Sequence, residues 1–170
     1  LQGRETPIDE TDLDELLESS WDNLTVTTDM EEAVNGSDIT LIIVPTPSKS
    51  DGRFTNEYLR VVLESIGPAL KQKDSFHVVD IVSTVMPGSC DNELKPLLEK
   101  LSGKVCGKDF GLVYNPEFIA LGSVVRDFLN PDMVLIGASD ERSGEMTEQL
   151  YISTCKSNPR IARMSLVNAE

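Results

Sequence analysis

Three short, mainly apolar runs, each followed by a polar loop that contains proline, most strongly constrain the fold of this 170-residue chain. The runs are 41–44, 78–82 and 110–114, and their loops are Pro45-Thr46-Pro47, Ser83-Thr84-Val85-Met86-Pro87-Gly88 and Asn115-Pro116-Glu117-Phe118. Apolar runs of this length, bounded by turn residues, are typical of buried strands. In open α/β sheets, ligands bind beyond the carboxyl ends of the strands. We therefore predict that the three loops converge on one edge of a sheet.

Apolar residues at helical spacing alternate with these strand patterns, which predicts an α/β fold with a parallel sheet and right-handed crossovers. The predicted helices are 12–19, 31–34, 56–72, 87–101 and 143–156, and the predicted strands are 24–28, 39–44, 76–82, 112–114 and 133–137. We expect Asp9 or Thr11 to cap the first helix, and Pro68 to kink or shorten the third. We expect Pro96 to interrupt the fourth helix and Gly103 to end it.

Composition and charge limit the function classes. The length and the 39% of hydrophobic residues are those of one ordinary globular domain. A formal net charge of -14 disfavours nucleic-acid binding, because phosphate recognition needs a surplus of Lys and Arg on one face. No apolar run approaches the length of a membrane span, and the first residues do not resemble a secretory signal. We therefore expect a cytoplasmic protein with neither a nucleic-acid nor a membrane partner.

The three cysteines are Cys90, Cys106 and Cys155, and their spacing does not predict a metal site. An odd number in a chain without a secretory signal also argues against a disulfide framework, so we expect reduced structural thiols. Cys90 follows Pro87-Gly88 in the predicted first turn of a helix, where the helix dipole could lower the pKa of its thiol.

The residues in the loops allow more than one interpretation. Glu117 could hold a hydroxyl, bind a sugar or act as a general base through water, or it could cap a helix. Ser83 and Thr84 could orient a water or a carbonyl oxygen, or could cap a helix, and Thr46 lies in a rigid turn that could contact a ligand. Residues 127–132 could carry an aspartate on a ligand, but turn chemistry explains each of them. His77 lies away from a strand end, which favours a structural role over that of an acid or base.

The ordered series of loops resembles the UDP-glucose/GDP-mannose dehydrogenase family. Its members are Val44-Pro45-Thr46-Pro47, Asp51-Gly52, Ser83-Thr84-Val85-Met86-Pro87-Gly88, Asn115-Pro116-Glu117-Phe118 and Asp127-Phe128-Leu129-Asn130-Pro131-Asp132, with Pro7-Ile8-Asp9-Glu10 and Asn168-Ala169-Glu170 near the ends. The resemblance implies that 1–170 form part of an NAD-binding domain, a Rossmann-like, mainly parallel sheet with flanking helices. It implies that this sheet is incomplete in its N-terminal half, and that 164–170 begin a central helical region.

Members of this family use NAD to oxidise C6 of a nucleotide-linked hexose from alcohol to carboxylate for polysaccharide precursors, usually through an aldehyde-level adduct on a cysteine. They act as homodimers or higher homo-oligomers. The resemblance implies catalytic roles for Glu117 and Thr84 and a substrate pocket lined by Glu117, Phe118, Ile119, Ala120, Leu121 and Gly122. It implies cofactor contacts from Pro45, Thr46, Pro47, Ser83 and Thr84.

Departures from the family pattern shape the expected function. The sequence contains no Gly-x-Gly-x-x-Gly turn followed by a ribose-binding acid, and none of its cysteines matches the family nucleophile. We therefore expect a portion of a larger dehydrogenase that does not turn over alone. Leu121 and Met133 replace the glutamate and arginine of many relatives, which leaves hexose and N-acetylhexosamine substrates as equal candidates. The alternatives are a non-catalytic nucleotide-binding or scaffold domain, and a hydroxyacid or sugar-acid dehydrogenase of the same architecture.

Overall fold

The computed structural model describes residues 1, 3, 6 and 8–170, so Pro7 of the N-terminal motif lies outside the described residues. Strands and helices alternate along most of this part of the chain. In order, the elements are α1 (Leu13–Ser20), α2 (Met30–Asn35), β1 (Ile39–Ile42), α3 (Glu57–Gln72), β2 (His77–Ile81), α4 (Lys95–Ser102), β3 (Phe110–Tyr114), α5 (Val124–Leu129), β4 (Met133–Ala138), α6 (Glu141–Thr154), β5 (Arg160–Ser165) and α7 (Leu166–Ala169).

The strands form one sheet in the order β1-β2-β3-β4-β5. The pairs β1–β2, β2–β3 and β4–β5 are parallel, whereas β3–β4 is antiparallel, with Tyr114 opposite Gly137. The expected Rossmann-like, mainly parallel sheet is thus confirmed, although the sheet is not parallel throughout. The start of β4 lies at the same end of the sheet as the carboxyl end of β3. Met133 at the start of β4 and Glu117 beyond the end of β3 accordingly line the same cavity.

Helices cover both faces of the sheet. Alternate strand residues such as Val79 and Leu112 pack with α3 and α4 in the larger core cluster. Their neighbours Val78 and Val113 pack on the opposite face with Tyr151 of α6. The sheet therefore separates two apolar layers, and α6 lies on the face opposite α3 and α4.

The predicted strand at 24–28 is wrong. In the structure Trp21–Asn23 form a turn of 3-10 helix, and an extended segment with exposed Leu24 and Val26 then leads to α2. Asp29 caps α2 by accepting from the amides of Glu31 and Glu32 at 2.9 and 3.1 Å. Alternation at 24–28 resembles a strand, but none of the sheet strands pairs with it, and an unpaired strand leaves its backbone groups unsatisfied.

Several helix ends differ from prediction. The residue that precedes α1 is Asp12, with φ of 65° and no side-chain capping bond, so neither Asp9 nor Thr11 is the cap. Helix α3 continues through Pro68 to its predicted end, so the proline does not shorten it. Pro68 is exposed, and so is Glu64, whose carbonyl would otherwise have accepted from residue 68 and can bond water instead.

The predicted helix at 87–101 begins two residues later, and its first part is a wide π-helical turn, Cys90–Leu94. Helix α4 follows with Pro96 in its first turn, where the missing N–H is tolerated. Pro96 was expected to interrupt the helix. Instead, the helix changes from π-helical to α-helical at Lys95, one residue before Pro96. Gly103 ends α4 as predicted, with φ of 69° and its N–H donating to the Glu99 carbonyl at 2.9 Å.

The apolar patterns did not predict β5, α5 or α7, although the family resemblance placed the start of a helical region at 164–170, where α7 lies. Arg160 and Arg163 interrupt the apolar pattern of β5, which pairs with β4 on one side only. Helices α5 and α7 are six and four residues long, too short for a helical period to register. Residues 127–129 accordingly lie in α5, so turn chemistry explains only the end of that motif. Among the described residues, no helix is long and apolar enough to cross a membrane.

Candidate functional site

The carboxyl ends of β1, β2 and β3 lie side by side, and direct hydrogen bonds connect these strand ends and the loops that follow them. The Ser83 hydroxyl accepts from the Val44 amide at 2.7 Å and lies 2.8 Å from the Val44 carbonyl, to which it can donate. The backbone N–H of Asn115 donates to the Ile81 carbonyl at 2.9 Å. The predicted convergence of the three loops on one sheet edge is therefore confirmed.

The first two loops present the predicted cofactor-binding residues. Pro45, Pro47 and Thr84 are exposed, and Thr46 is partly buried. The Ser83 side chain is buried and bonded to Val44, so any cofactor contact of Ser83 would involve its backbone. Neither Ser83 nor Thr84 caps a helix, because the next helical turn begins at Ser89, and the Glu170 carboxylate accepts from the backbone amides of Gly88 and Cys90 at its start.

These loops fit part of a dinucleotide. Rigid proline-containing backbone and exposed or partly exposed threonine hydroxyls offer polar contacts at the edge where parallel sheets bind ligands. Ribose hydroxyls and a nicotinamide carboxamide are suitable partners for such groups. The chain offers no glycine-rich turn for a pyrophosphate, so we assign no phosphate contact to these residues.

Glu117 lies in the third loop, beyond the end of β3, where it is partly buried. The Tyr151 hydroxyl lies 3.3 Å from its Oε1. Burial raises the pKa of Glu117, and the hydrogen bond from Tyr151 opposes that rise. Glu117 is not a helix cap, because Ser123 precedes α5. A partly buried carboxylate with a raised pKa is suited to accept a proton near neutral pH.

Asn115 and Tyr151 fix the surroundings of Glu117. The side-chain Nδ2 of Asn115 donates to the Leu135 carbonyl at 2.7 Å, and the side-chain Oδ1 accepts from the Tyr151 hydroxyl. Both side chains are buried. Sequence reasoning missed Tyr151, which resembles an ordinary core aromatic on α6. Thr147 lies one helical turn before Tyr151 on the same face of α6. Two polar residues on one apolar helix face could have indicated a functional site there.

A small cavity adjoins Glu117. Its volume is about 20 Å³, roughly enough for one water molecule, and it lies between the loop after β3, α5, the start of β4 and Tyr151. Besides Glu117 its lining includes Phe118, Ile119, Phe128, Met133 and Tyr151. The carboxyl group therefore has a place for a water molecule beside it.

The predicted substrate-binding loop is held at its base and exposed at its tip. Phe118 is 62% exposed and Leu121 is 97% exposed, Ala120 and Gly122 are also exposed, and Ile119 is partly buried. A carboxylate near the N-terminus holds the end of this loop, since Glu10 accepts from the amides of Gly122 and Val124 at 3.0 and 3.1 Å.

Asp127 holds the same loop from α5. Its Oδ2 accepts from the Ala120 amide at 3.2 Å and from the Ser123 hydroxyl at 2.7 Å. Hydrogen bonds from Ser123, and next from Arg126, lower the pKa of Asp127, which keeps it ionised. Sequence reasoning missed the loop-holding roles of Glu10 and Asp127, because one partner lies 112 residues from its loop residue and the other looked like a turn residue.

The thiols are not activated. Cys90 is buried, and burial raises the pKa of its thiol, with the nearby Glu170 carboxylate adding to the rise. The lowered pKa considered for Cys90 is therefore wrong. Burial also raises the pKa of Cys106 and Cys155, and all three cysteines are free. Among the described residues, no group of three or more His, Cys, Asp or Glu side chains could hold a metal ion.

The sequence of this chain is similar to those of known dehydrogenases. The model of the UDP-glucose/GDP-mannose dehydrogenase family, NAD binding domain, matches residues 1–154. The GDP-mannose 6-dehydrogenase of Pseudomonas savastanoi pv. phaseolicola is 40% identical over 148 residues, which cover 86% of this chain and 34% of that protein. The UDP-glucose 6-dehydrogenase of Haloferax volcanii is 34% identical over 173 residues, covering 100% of this chain and 40% of that protein.

The fold agrees with the sequence match. A crystal structure of a ternary complex of GDP-mannose dehydrogenase from Pseudomonas aeruginosa superposes with a TM-score of 0.91 and 36% identity, covering 98% of this chain and 38% of that one. The chain thus spans about a third to two fifths of the length of these relatives. With this sheet, these strand-end loops and these matches, the chain belongs to the UDP-glucose/GDP-mannose dehydrogenase family, as its NAD-binding domain, and its cofactor is NAD.

Proposed function

We propose that the chain is part of an NAD-dependent nucleotide-sugar 6-dehydrogenase. This enzyme would oxidise the C6 alcohol of a UDP- or GDP-linked hexose or N-acetylhexosamine to the carboxylate. The observation that carries the proposal is the position of Glu117 beyond the end of β3, hydrogen-bonded to Tyr151 and beside a cavity of one-water size. The relatives named as GDP-mannose and UDP-glucose 6-dehydrogenases support the reaction class.

Oxidation of an alcohol to an acid removes two hydrides and adds one oxygen from water. NAD, when bound, accepts the hydrides. Glu117 would serve the hydrolytic half by taking a proton from a water molecule in the adjacent cavity. Tyr151, itself held by Asn115, would keep the Glu117 carboxylate directed at that water.

The other loop residues would position the two ligands. Pro45, Thr46, Pro47, Ser83 and Thr84 would contact the cofactor, and Thr84 would also help to orient the reacting water. The loop 118–122 would line the sugar site, where the bonds from Glu10 and Asp127 hold its backbone.

We also propose how this domain fits into the complete protein. Residues 1–170 would form part of the NAD-binding domain, and 164–170 would begin the central helical region through which relatives form homodimers or larger homo-oligomers. The nucleophilic cysteine of the family would lie outside these residues, because burial raises the pKa of each of the three thiols described here.

The test is NADH formation by the complete protein with a panel of GDP-mannose, UDP-glucose and a UDP-linked N-acetylhexosamine. We expect two NADH per sugar with at least one of them, and no turnover by the 170-residue chain alone. Binding of a nucleotide sugar without any NAD reduction would favour the scaffold-domain alternative. Reduction of NAD by a free hydroxyacid, but by none of the nucleotide sugars, would also overturn the proposal.

A further inference from the structure

Asp80 is a buried carboxyl group that the proposed reaction does not use. It lies within β2, paired with Leu41 of β1 and Val113 of β3, and is 0% exposed. Neither of its oxygens has a hydrogen-bond partner among the described residues. Burial of a polar group without a partner is costly, so such a group in a folded protein calls for an explanation.

The side chain of Asp80 faces the candidate site. Its register partner Val113 packs with Tyr151, and paired residues of neighbouring strands share one face of the sheet. From α6, this face is covered by the Tyr151 hydroxyl and by Thr147, whose hydroxyl is also buried without a partner. Leu41 and Val113 on the neighbouring strands are uncharged, and Glu117 in the loop after β3 is the nearby charge that acts on Asp80.

Asp80 and Glu117 differ in what stabilises their charge. Glu117 is partly exposed and has the Tyr151 hydroxyl within hydrogen-bonding distance. Asp80 is fully buried and has no donor among the described residues, so burial, and next the charge of Glu117, raise the pKa of Asp80 well above its usual range. When two carboxyl groups interact, the proton stays on the one whose charged form is less well stabilised.

We propose that Asp80 is a positioning residue of this site, a carboxylic acid that keeps its proton beneath Tyr151 and Thr147 and so leaves Glu117 as the carboxylate that ionises. The inference deepens the proposed function, because it assigns the charge state in which Glu117 can accept a proton. An ionised Asp80 would place a second negative charge beside Glu117 and disturb the Tyr151 bond that directs it.

The direct test is a titration of the carboxyl carbons by ¹³C NMR in the 170-residue chain and in two variants. We expect Asp80 to titrate at higher pH than Glu117. E117Q should lower the Asp80 midpoint by about one pH unit, because it removes the neighbouring charge. D80N should leave the Glu117 midpoint in place, because Asp80 is neutral while Glu117 titrates. An Asp80 midpoint below that of Glu117, or a lower Glu117 midpoint in D80N, would overturn the proposal.

The second test is the pH dependence of kcat in the complete protein. Ionisation of Asp80 should cause a fall of kcat at alkaline pH that D80N abolishes and that E145Q, a change at an exposed position of α6, retains. A fall that persists in D80N would contradict the role. If the NMR result holds but the complete protein reduces no NAD, the proposed function fails while the protonated state of Asp80 stands, so the two failures are distinguishable.

Discussion

At the scale of single residues, the Tyr151 hydroxyl lies between Asn115 Oδ1 and Glu117 Oε1, and these two acceptors share its single proton, with Asn115 the nearer. Tyr151→Phe should lower the free energy of unfolding by about 1–3 kcal/mol, because Asn115 Oδ1 is left buried without a donor. The same change should raise the pKa of Glu117, since the Tyr151 bond now lowers it. Urea denaturation and ¹³C NMR titration measure the two effects.

Tyr58→Phe is the matched control for this change. Tyr58 lies on the outer face of α3, where it is 48% exposed. If Tyr151→Phe were no more destabilising than Tyr58→Phe, the buried Asn115–Tyr151 bond would not have the structural role described above.

His77 makes stability depend on pH. Its Nδ1 lies 3.1 Å from the Ser37 carbonyl and its Nε2 lies 2.8 Å from the Thr40 hydroxyl, an arrangement that satisfies a neutral ring. Burial, and next the charge of Lys73, lower the pKa of His77 from 6.5 to about 4. Between these values the unfolded chain binds a proton that the folded chain does not, so stability decreases as pH falls.

The expected loss is about 3 kcal/mol between pH 6.5 and pH 4. It should appear in urea denaturation as a difference between the wild type and His77→Gln that shrinks as the pH is lowered through this window. A difference that stays constant over the same range would show that His77 has the same pKa in the folded and unfolded protein, which would contradict the effect of its burial.

At the scale of elements, Glu10 holds the end of the loop between β3 and α5 through two backbone amides. Glu10→Ala should speed hydrogen exchange at Gly122 and Val124 by about 10-fold, the effect of losing about 1.4 kcal/mol of local stability. Asp9→Ala changes the exposed neighbouring carboxylate and should leave both amides unaffected. Equal exchange in all three proteins would mean that the loop is held by other contacts.

The contact between α3 and α4 depends on Gly67. A Cβ added there would lie 2.3 Å from the Leu101 Cβ, so Gly67→Ala must push the two helices apart. We expect a loss of about 1–3 kcal/mol of stability, measured by urea denaturation, although alanine is the better helix former. Ser65→Ala, at an exposed position of the same helix, should be neutral or stabilising. A stabilising effect of Gly67→Ala would contradict this close packing.

Much of the fold could be predicted because β2 and β3 are buried along their length, and their sequences are mainly apolar, with His77 and Asp80 as the polar residues of β2. Strand β5 could not, because its arginines and half-exposed position remove that signal. Glu117 was predictable from its place after a strand. Tyr151 and Glu10 were not, because they reach the loop from 34 and 112 residues away, and only the folded sheet brings them there.

At the scale of the whole molecule, β1 forms one edge of the sheet, and Ile43 just beyond it is 73% exposed. An unpaired strand edge offers backbone donors and acceptors to a further strand. The β1 edge of this sheet is therefore a surface to which a further strand can be added.

The most direct test of the account is the rate of NADH formation by the complete protein carrying Glu117→Gln, with the nucleotide sugar that the wild type oxidises. Loss of the general base should reduce kcat by about 10²–10⁴-fold, whereas Glu145→Gln on the outer face of α6 should match the wild type. A Glu117→Gln enzyme as fast as the wild type would contradict the central claim that this strand-end carboxylate serves the chemistry.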